Sequence, residues 1–208
     1  MTAQAAQKLD MTMMFGFHAA FRRDLDRLAK ASETPGASSA SVQAGWLVFK
    51  TELDRHHHAE DDDLWPVARE GLASDPEGLA VLDAMEAEHS VIDPLIANVD
   101  AALEDPNSTA ESKTKAVAEF RDALTKHLDH EEKDAIPLLD RSVTPEQWKE
   151  FSNKQRKKHG MGHAKVLFPW MLDGDIPEGR AVLGLLPPPL RLINNWFWVP
   201  AYKKTPRW

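Results

Sequence analysis

The chain has 208 residues and no cysteine, and its net charge is −8 at pH 7. The missing thiols exclude iron–sulfur clusters, thiolate zinc sites and disulfides, and the acidic balance argues against a nucleic-acid partner. No apolar run approaches the length of about 18 residues that indicates a membrane span, and the N-terminal segment does not read as a signal peptide. We therefore expect a cytoplasmic protein without a transmembrane segment.

Apolar residues recur at helical spacing along most of the chain, and no segment shows the alternation of a β-strand. The first predicted helix begins near Met11 and ends near Ala31, and a Ser/Gly/Pro-rich connection follows over residues 32–41. A second helix then runs to Pro66, which ends or kinks it. These two helices predict a first antiparallel hairpin.

The next two helices predict a second hairpin. The third helix starts near Pro76 and reaches Leu103, with a kink expected at Pro94. A short turn follows, after which Thr109 is positioned to cap the fourth helix. The fourth helix runs to Pro137, just as the second helix runs to Pro66.

A fifth helix and a Pro/Trp-rich extension follow the two hairpins. Residues 144–147 read as a helix start, with Pro at the first helical position and Gln three residues after Thr. Residues 173–208 carry a net charge of +2, against −10 for residues 1–172. We expect residues 144–208 to form a helix and an irregular strap on a bundle formed by residues 1–143. The basic side chains of residues 173–208 are expected to pair with the acidic body. A homo-oligomer interface and a membrane-surface anchor are the second and third interpretations.

The two halves of the chain carry the same imidazoles and carboxylates at an offset of 71 residues. Each half has one His on its first helix and His-x-x-x-Glu on its second, and a separation of four places that His and Glu only about 40° apart around the axis. Hairpin arms of similar length bring the two His of each half side by side. The pattern predicts an all-α, up-down-up-down four-helix bundle whose interior holds two metal ions. The predicted ligands are His18, His56, Glu60, His89, His127 and Glu131.

The doubled motif resembles the hemerythrin-like family, the proteins with an HHE cation-binding domain. The likeness covers about residues 10–140 and rests on residues 56–66 and 127–137, together with the isolated His of each half. It implies two non-heme iron ions, joined by an oxo or hydroxo bridge, in an up-down bundle. The four His would be terminal ligands, and Glu60 and Glu131 would be bridging carboxylates.

Two departures set the chain apart from the oxygen carriers of that family. Those proteins have a fifth His where this chain has Met85, and they space their last carboxylate five residues from its His rather than four. The resemblance therefore places the chain with the more symmetric bacterial members, in which each iron keeps open positions. Glu86 or Asp93 is a candidate to fill one of them. Open positions suit reaction with an exogenous ligand better than reversible carriage.

The resemblance implies that the protein binds or reacts with a small oxidant such as dioxygen, peroxide or nitric oxide. If it turns over, it is a di-iron oxidoreductase. Two alternatives stay open: a non-catalytic oxygen or redox sensor or iron-handling module, and an oxidase or oxygenase that acts on an organic substrate. The expectation of iron rather than zinc or manganese rests on the resemblance, because ligand sets of imidazoles and carboxylates suit all three metals.

The remaining histidines are interpreted as solvated or structural. They are His57, His58, His130, His159 and His163. The first two adjoin the acidic run of residues 60–63, itself interpreted as a charged outer face, and the first three have no His at the equivalent repeat position. The last two have a spacing that suits a metal on a regular helix, but the two glycines of that segment weaken helix formation. We expect no metal ligand from the extension.

Overall fold

The computed structural model describes residues 8–34 and 39–208. Residues 1–7, which contain the start of the segment judged for a signal peptide, and residues 35–38, in the predicted first connection, lie outside the described residues. The described residues form helices and no strand, which confirms the predicted all-α class. No helix among them is long and apolar enough to cross a membrane.

The described part of the chain contains ten α-helices. They are α1 (Thr12–Ser32), α2 (Ala40–Ala59), α3 (Trp65–Gly71), α4 (Pro76–Glu104), α5 (Ala110–His130), α6 (Ile136–Ser142), α7 (Pro145–Met171), α8 (Pro177–Leu185), α9 (Pro188–Ile193) and α10 (Val199–Lys203). Three π-helical turns join α2 to α3, α5 to α6 and α9 to α10: Glu60–Leu64, Glu131–Ala135 and Asn194–Trp198. Helices α1, α2, α4 and α5 form the four-helix bundle, in which α1 packs on α2 and α5, and α4 packs on α5 and α2.

Side-chain caps fix the starts of several helices. Thr109 accepts a hydrogen bond from the Ser112 amide at the start of α5, as the sequence predicts. The capping box predicted for α7 is also present, because Thr144 and Gln147 bond to each other's backbone amides. The first cap fixes the start of the last bundle helix, and the second fixes where the extension begins.

The two prolines that follow the His-x-x-x-Glu motifs widen their helices without ending them. Pro66 has no amide hydrogen for the carbonyl four residues earlier, and its ring crowds that carbonyl. The turn before it opens into a π-turn, in which the Trp65 amide donates to the Glu60 carbonyl. The second half repeats this arrangement at Glu131 and Pro137. Both of these π-turns begin at a predicted carboxylate ligand, and π-turns are frequent at functional sites.

Two apolar clusters fill the bundle on either side of a polar layer. The larger cluster includes Phe21, Leu25, Phe49, Leu53, Phe120 and Leu124, and the smaller includes Met14, Leu64, Trp65, Leu82, Met85 and Leu139. On α1, α2 and α4 the predicted His ligands lie between residues of the two clusters. The predicted kink at Pro94 does not end α4, which continues to Glu104.

The extension is helical over most of its length, so the irregular strap was a wrong prediction. Three of its prolines begin helices, at Pro145, Pro177 and Pro188, where a missing amide hydrogen costs nothing and the fixed φ is favourable. Helix α7 is broken at Gly160, whose φ of 65° favours glycine.

The extension packs on the bundle through apolar side chains. Trp170 and Val182 are fully buried in the larger cluster, and the Trp208 amide donates to the Ser41 carbonyl. By contrast, Trp196 and Phe197 are 72% and 65% exposed, so not all the aromatics are covered.

The predicted pairing of basic residues of the strap, residues 173–208, with the acidic body is wrong. Among the ion pairs of the described residues, one joins residues 173–208 to the body. In this pair the body supplies the base and the strap supplies the acid, because Arg27 of α1 binds Asp173. The other, between Arg180 and Asp175, lies within the extension. Apolar burial therefore accounts for the docking better than charge.

Candidate metal centre

The six predicted ligands lie together in the polar layer of the bundle. His18, His56, Glu60, His89, His127 and Glu131 are all buried, none more than 6% exposed. They come from the four bundle helices and the two π-turns. The predicted hairpin geometry therefore brings the residues of both repeats to one place.

Ring nitrogens and carboxylate oxygens form two groups that could each hold a metal ion. The first group contains His18, His56 and Glu131, and the second contains His57, His89 and His127; within each group the ligand atoms lie within 4.8 Å of one another. We call them the first and second half-sites, since their imidazoles derive mainly from the first and second hairpins.

The two motif carboxylates lie between the half-sites. Glu60 is 3.2 Å from the His56 Nε2 through one oxygen and 3.7 Å from the His89 Nε2 through the other. Glu131 Oε2 is 3.1 Å from the His18 Nε2 and 3.8 Å from the His127 Nε2. Each carboxylate thus faces imidazoles of both hairpins, which is the placement that a bridging ligand requires.

Outer carboxylates orient three of the imidazoles. The Nδ1 of His18 lies 2.9 Å from Glu132, and the Nδ1 of His89 lies 2.9 Å from Asp61. The Nδ1 of His127 lies 2.9 Å from Glu88. When Nδ1–H donates to a carboxylate, the Nε2 lone pair faces inward and the basicity of the ligand rises.

Two of these outer carboxylates belong to the repeat. Asp61 and Glu132 are 71 residues apart and each follows a motif Glu directly. The interpretation of residues 60–63 as an outer face was therefore wrong for Asp61. It was also wrong for Asp63, which binds Lys154 and Gln155 of α7.

The buried charges of the layer influence one another strongly. Burial lowers the pKa of His18, but the carboxylates of Glu131 and Glu132 outweigh it and raise that pKa to about 9. Burial and the neighbouring charge of Glu131 raise the pKa of Glu60. Burial and nearby imidazoles lower the pKa values of His56 and His57. The layer therefore holds more ionisable groups than it can keep charged together.

Seven buried ligand-type atoms in this layer have no hydrogen-bond partner among the described residues. They are the Nε2 atoms of His18, His56 and His57 and both carboxylate oxygens of Glu60 and Glu131. Buried polar atoms are almost always satisfied, and leaving one without a partner costs about 1–3 kcal/mol. Cations held in the two half-sites would give these atoms partners, so the residues present fit a metal centre.

His57 is the residue that sequence reasoning misplaced. It was interpreted as solvated, yet it is 4% exposed and its ring stacks on that of His89 with a centroid distance of 4.0 Å. Its neighbour His58 is solvated as expected, with 62% of its side chain exposed. His130 is half-buried and bonds Glu88.

The other candidate residues lie outside the layer. Glu86 pairs with Arg69 and Asp93 is exposed, so neither fills an open metal position. His163 binds the buried carboxylate of Glu52, and His159 packs beside it. Neither belongs to a metal-binding group among the described residues.

Comparison with known proteins identifies the family. The model of the hemerythrin HHE cation-binding domain matches residues 10–139, which span the four bundle helices and the two π-turns. The chain therefore belongs to the hemerythrin HHE family, a family of metal-binding proteins. No curated protein and no solved structure showed significant similarity to it.

Proposed function

We propose that the protein binds two iron ions, one in each half-site, and that it binds or reacts with a small oxidant. The observation that carries the proposal is the pair of carboxylates, each of which lies between imidazoles of both hairpins. His18 and His56 would hold one ion, His89 and His127 the other, and Glu60 and Glu131 would bridge them. When bound, iron would supply redox chemistry and a position for the oxidant.

The surrounding residues support this role in a definite way. Three imidazoles are held with Nε2 facing inward by the carboxylates of Asp61, Glu88 and Glu132. These side chains would therefore need little reorientation to bind a metal ion. The two apolar clusters above and below the layer limit access of water. A small, uncharged oxidant crosses such surroundings more easily than a charged organic molecule does.

Iron-loaded protein mixed with peroxide or nitric oxide, and followed by absorption spectroscopy and peroxide consumption, tests the proposal. We expect a spectral change with at least one of these molecules that metal-free protein does not give. Catalytic consumption would assign an oxidoreductase. A spectral change without turnover would assign a sensor or an iron-handling module. An iron-loaded centre that responds to none of peroxide, dioxygen and nitric oxide would contradict the proposal.

A further inference from the structure

His57 lies at the second half-site although it belongs to the first hairpin. It follows His56 on α2, and consecutive residues of a helix are about 100° apart around the axis. The step turns His57 away from its neighbour and towards α4 and α5, where its ring lies 4.0 Å from that of His89 and 5.3 Å from that of His127. Its Nε2 is buried and has no hydrogen-bond partner among the described residues.

The first half-site has no counterpart to this imidazole. Leu128 occupies the position equivalent to His57, and it is fully buried in the larger apolar cluster. The residues that contact the outer side of the imidazoles also differ. In the second half-site Glu88 bonds to His127. The position equivalent to Glu88 is Phe17, which packs on His56 with a centroid distance of 5.1 Å. The repeat is therefore broken by two residues, and both changes make the second half-site richer in polar groups.

We infer that His57 is a seventh protein ligand, which gives the second half-site three imidazoles and leaves the first with two. This inference rests on the proposed binding of two iron ions. With the same two bridging carboxylates on each ion, the first half-site keeps one more open position than the second. An exogenous ligand therefore binds at the first half-site, beside His18 and His56.

The unequal ligand sets have measurable consequences. Protein loaded with ⁵⁷Fe should give two Mössbauer doublets of equal area, because the two ions have different numbers of nitrogen ligands. A chelator should remove the ion of the first half-site about tenfold faster than the other, which is the scale of effect that a single supporting group has on metal affinity. Azide, a small anionic probe, should bind with a stoichiometry of one per chain.

The variant His57→Leu tests the assignment, since Leu is accommodated at the equivalent position of the other half. We expect the two release rates to come within about threefold of each other and the azide stoichiometry to rise to two per chain. His57→Ala serves as a second variant, and His58→Ala, which alters the exposed neighbour, should leave all three readouts unchanged.

Two kinds of failure are distinguishable. If wild-type protein binds two irons and His57→Leu keeps both doublets, both release rates and one azide, His57 only packs on His89 and the inference is overturned. Equivalent irons in the wild-type protein would overturn it as well. If wild-type protein does not bind two irons, the proposed function fails together with the inference.

Discussion

Replacing Glu131 with Ala should reduce iron from two ions per chain to less than one. The carboxylate of Glu131 is fully buried and faces His18 of one half-site and His127 of the other, so its removal takes a ligand from both ions. Glu60→Ala should have the same effect, because Glu60 faces both half-sites in the same way. Elemental analysis after anaerobic reconstitution measures the stoichiometry.

Two controls separate ligand loss from other effects. Glu119→Ala removes an exposed carboxylate of α5 and should keep two ions. Glu132→Ala removes the partner of the His18 Nδ1 and should weaken binding at the first half-site by about 10–100-fold without emptying the second. Circular dichroism of the metal-free variants checks that each is folded. A folded Glu131→Ala protein that retains two tightly bound ions would show that this carboxylate is not a shared ligand.

Trp170→Ala should destabilise the metal-free protein by about 3–5 kcal/mol, the usual cost of deleting a large buried aromatic. Trp170 comes from α7, is fully buried and packs on Phe21 with a centroid distance of 5.3 Å. Its Nε1 also donates to the buried carboxylate of Asp24 at 2.7 Å, which would lose that donor. Denaturant unfolding followed by circular dichroism measures the free energy.

Trp196→Ala is the matched control, because the same residue type in the same extension is 72% exposed. Its effect should stay within about 0.5 kcal/mol. Folded Trp170→Ala protein should still bind two irons, since the extension contributes no residue to either half-site. Equal effects of the two substitutions would show that α7 does not dock as described.

The sequence predicted the bundle and the six central residues because both depend on spacing. Helical periodicity places apolar residues on one face, and an offset that conserves His and Glu together with that face brings the two copies to one layer. The caps at Thr109 and Thr144 followed from short-range chemistry in the same way. The only long-range contacts that the sequence predicted are those between the two helices of each hairpin, because the arms of each hairpin have similar lengths.

His57 was misplaced because absence from the repeat was treated as evidence against a role. A repeat identifies what the two half-sites share and is silent about what distinguishes them. The signal that could have located His57 is its position directly after the predicted ligand His56, on a helix that packs on both α1 and α4. The pairs that Asp61 and Glu132 form with His89 and His18 were also accessible, since both acids obey the offset of 71 residues.

The extension was misjudged for a different reason. The Pro-rich composition of this segment predicts an irregular strap, although proline is favourable in the first turn of a helix, and Pro177 and Pro188 stand there. Which of its aromatics are buried depends on docking against α1 and α2. Sequence periodicity could not separate Trp198, which is buried, from Trp196, which is exposed.

Anomalous diffraction at the iron edge, from crystals of iron-loaded protein, tests the central claim most directly. The account predicts two anomalous peaks per chain inside the bundle, one beside His18 and His56 and the other beside His89 and His127, with Glu60 and Glu131 between them. A single peak in that layer, or a peak at His159 and His163 of the extension with none in the layer, would contradict it.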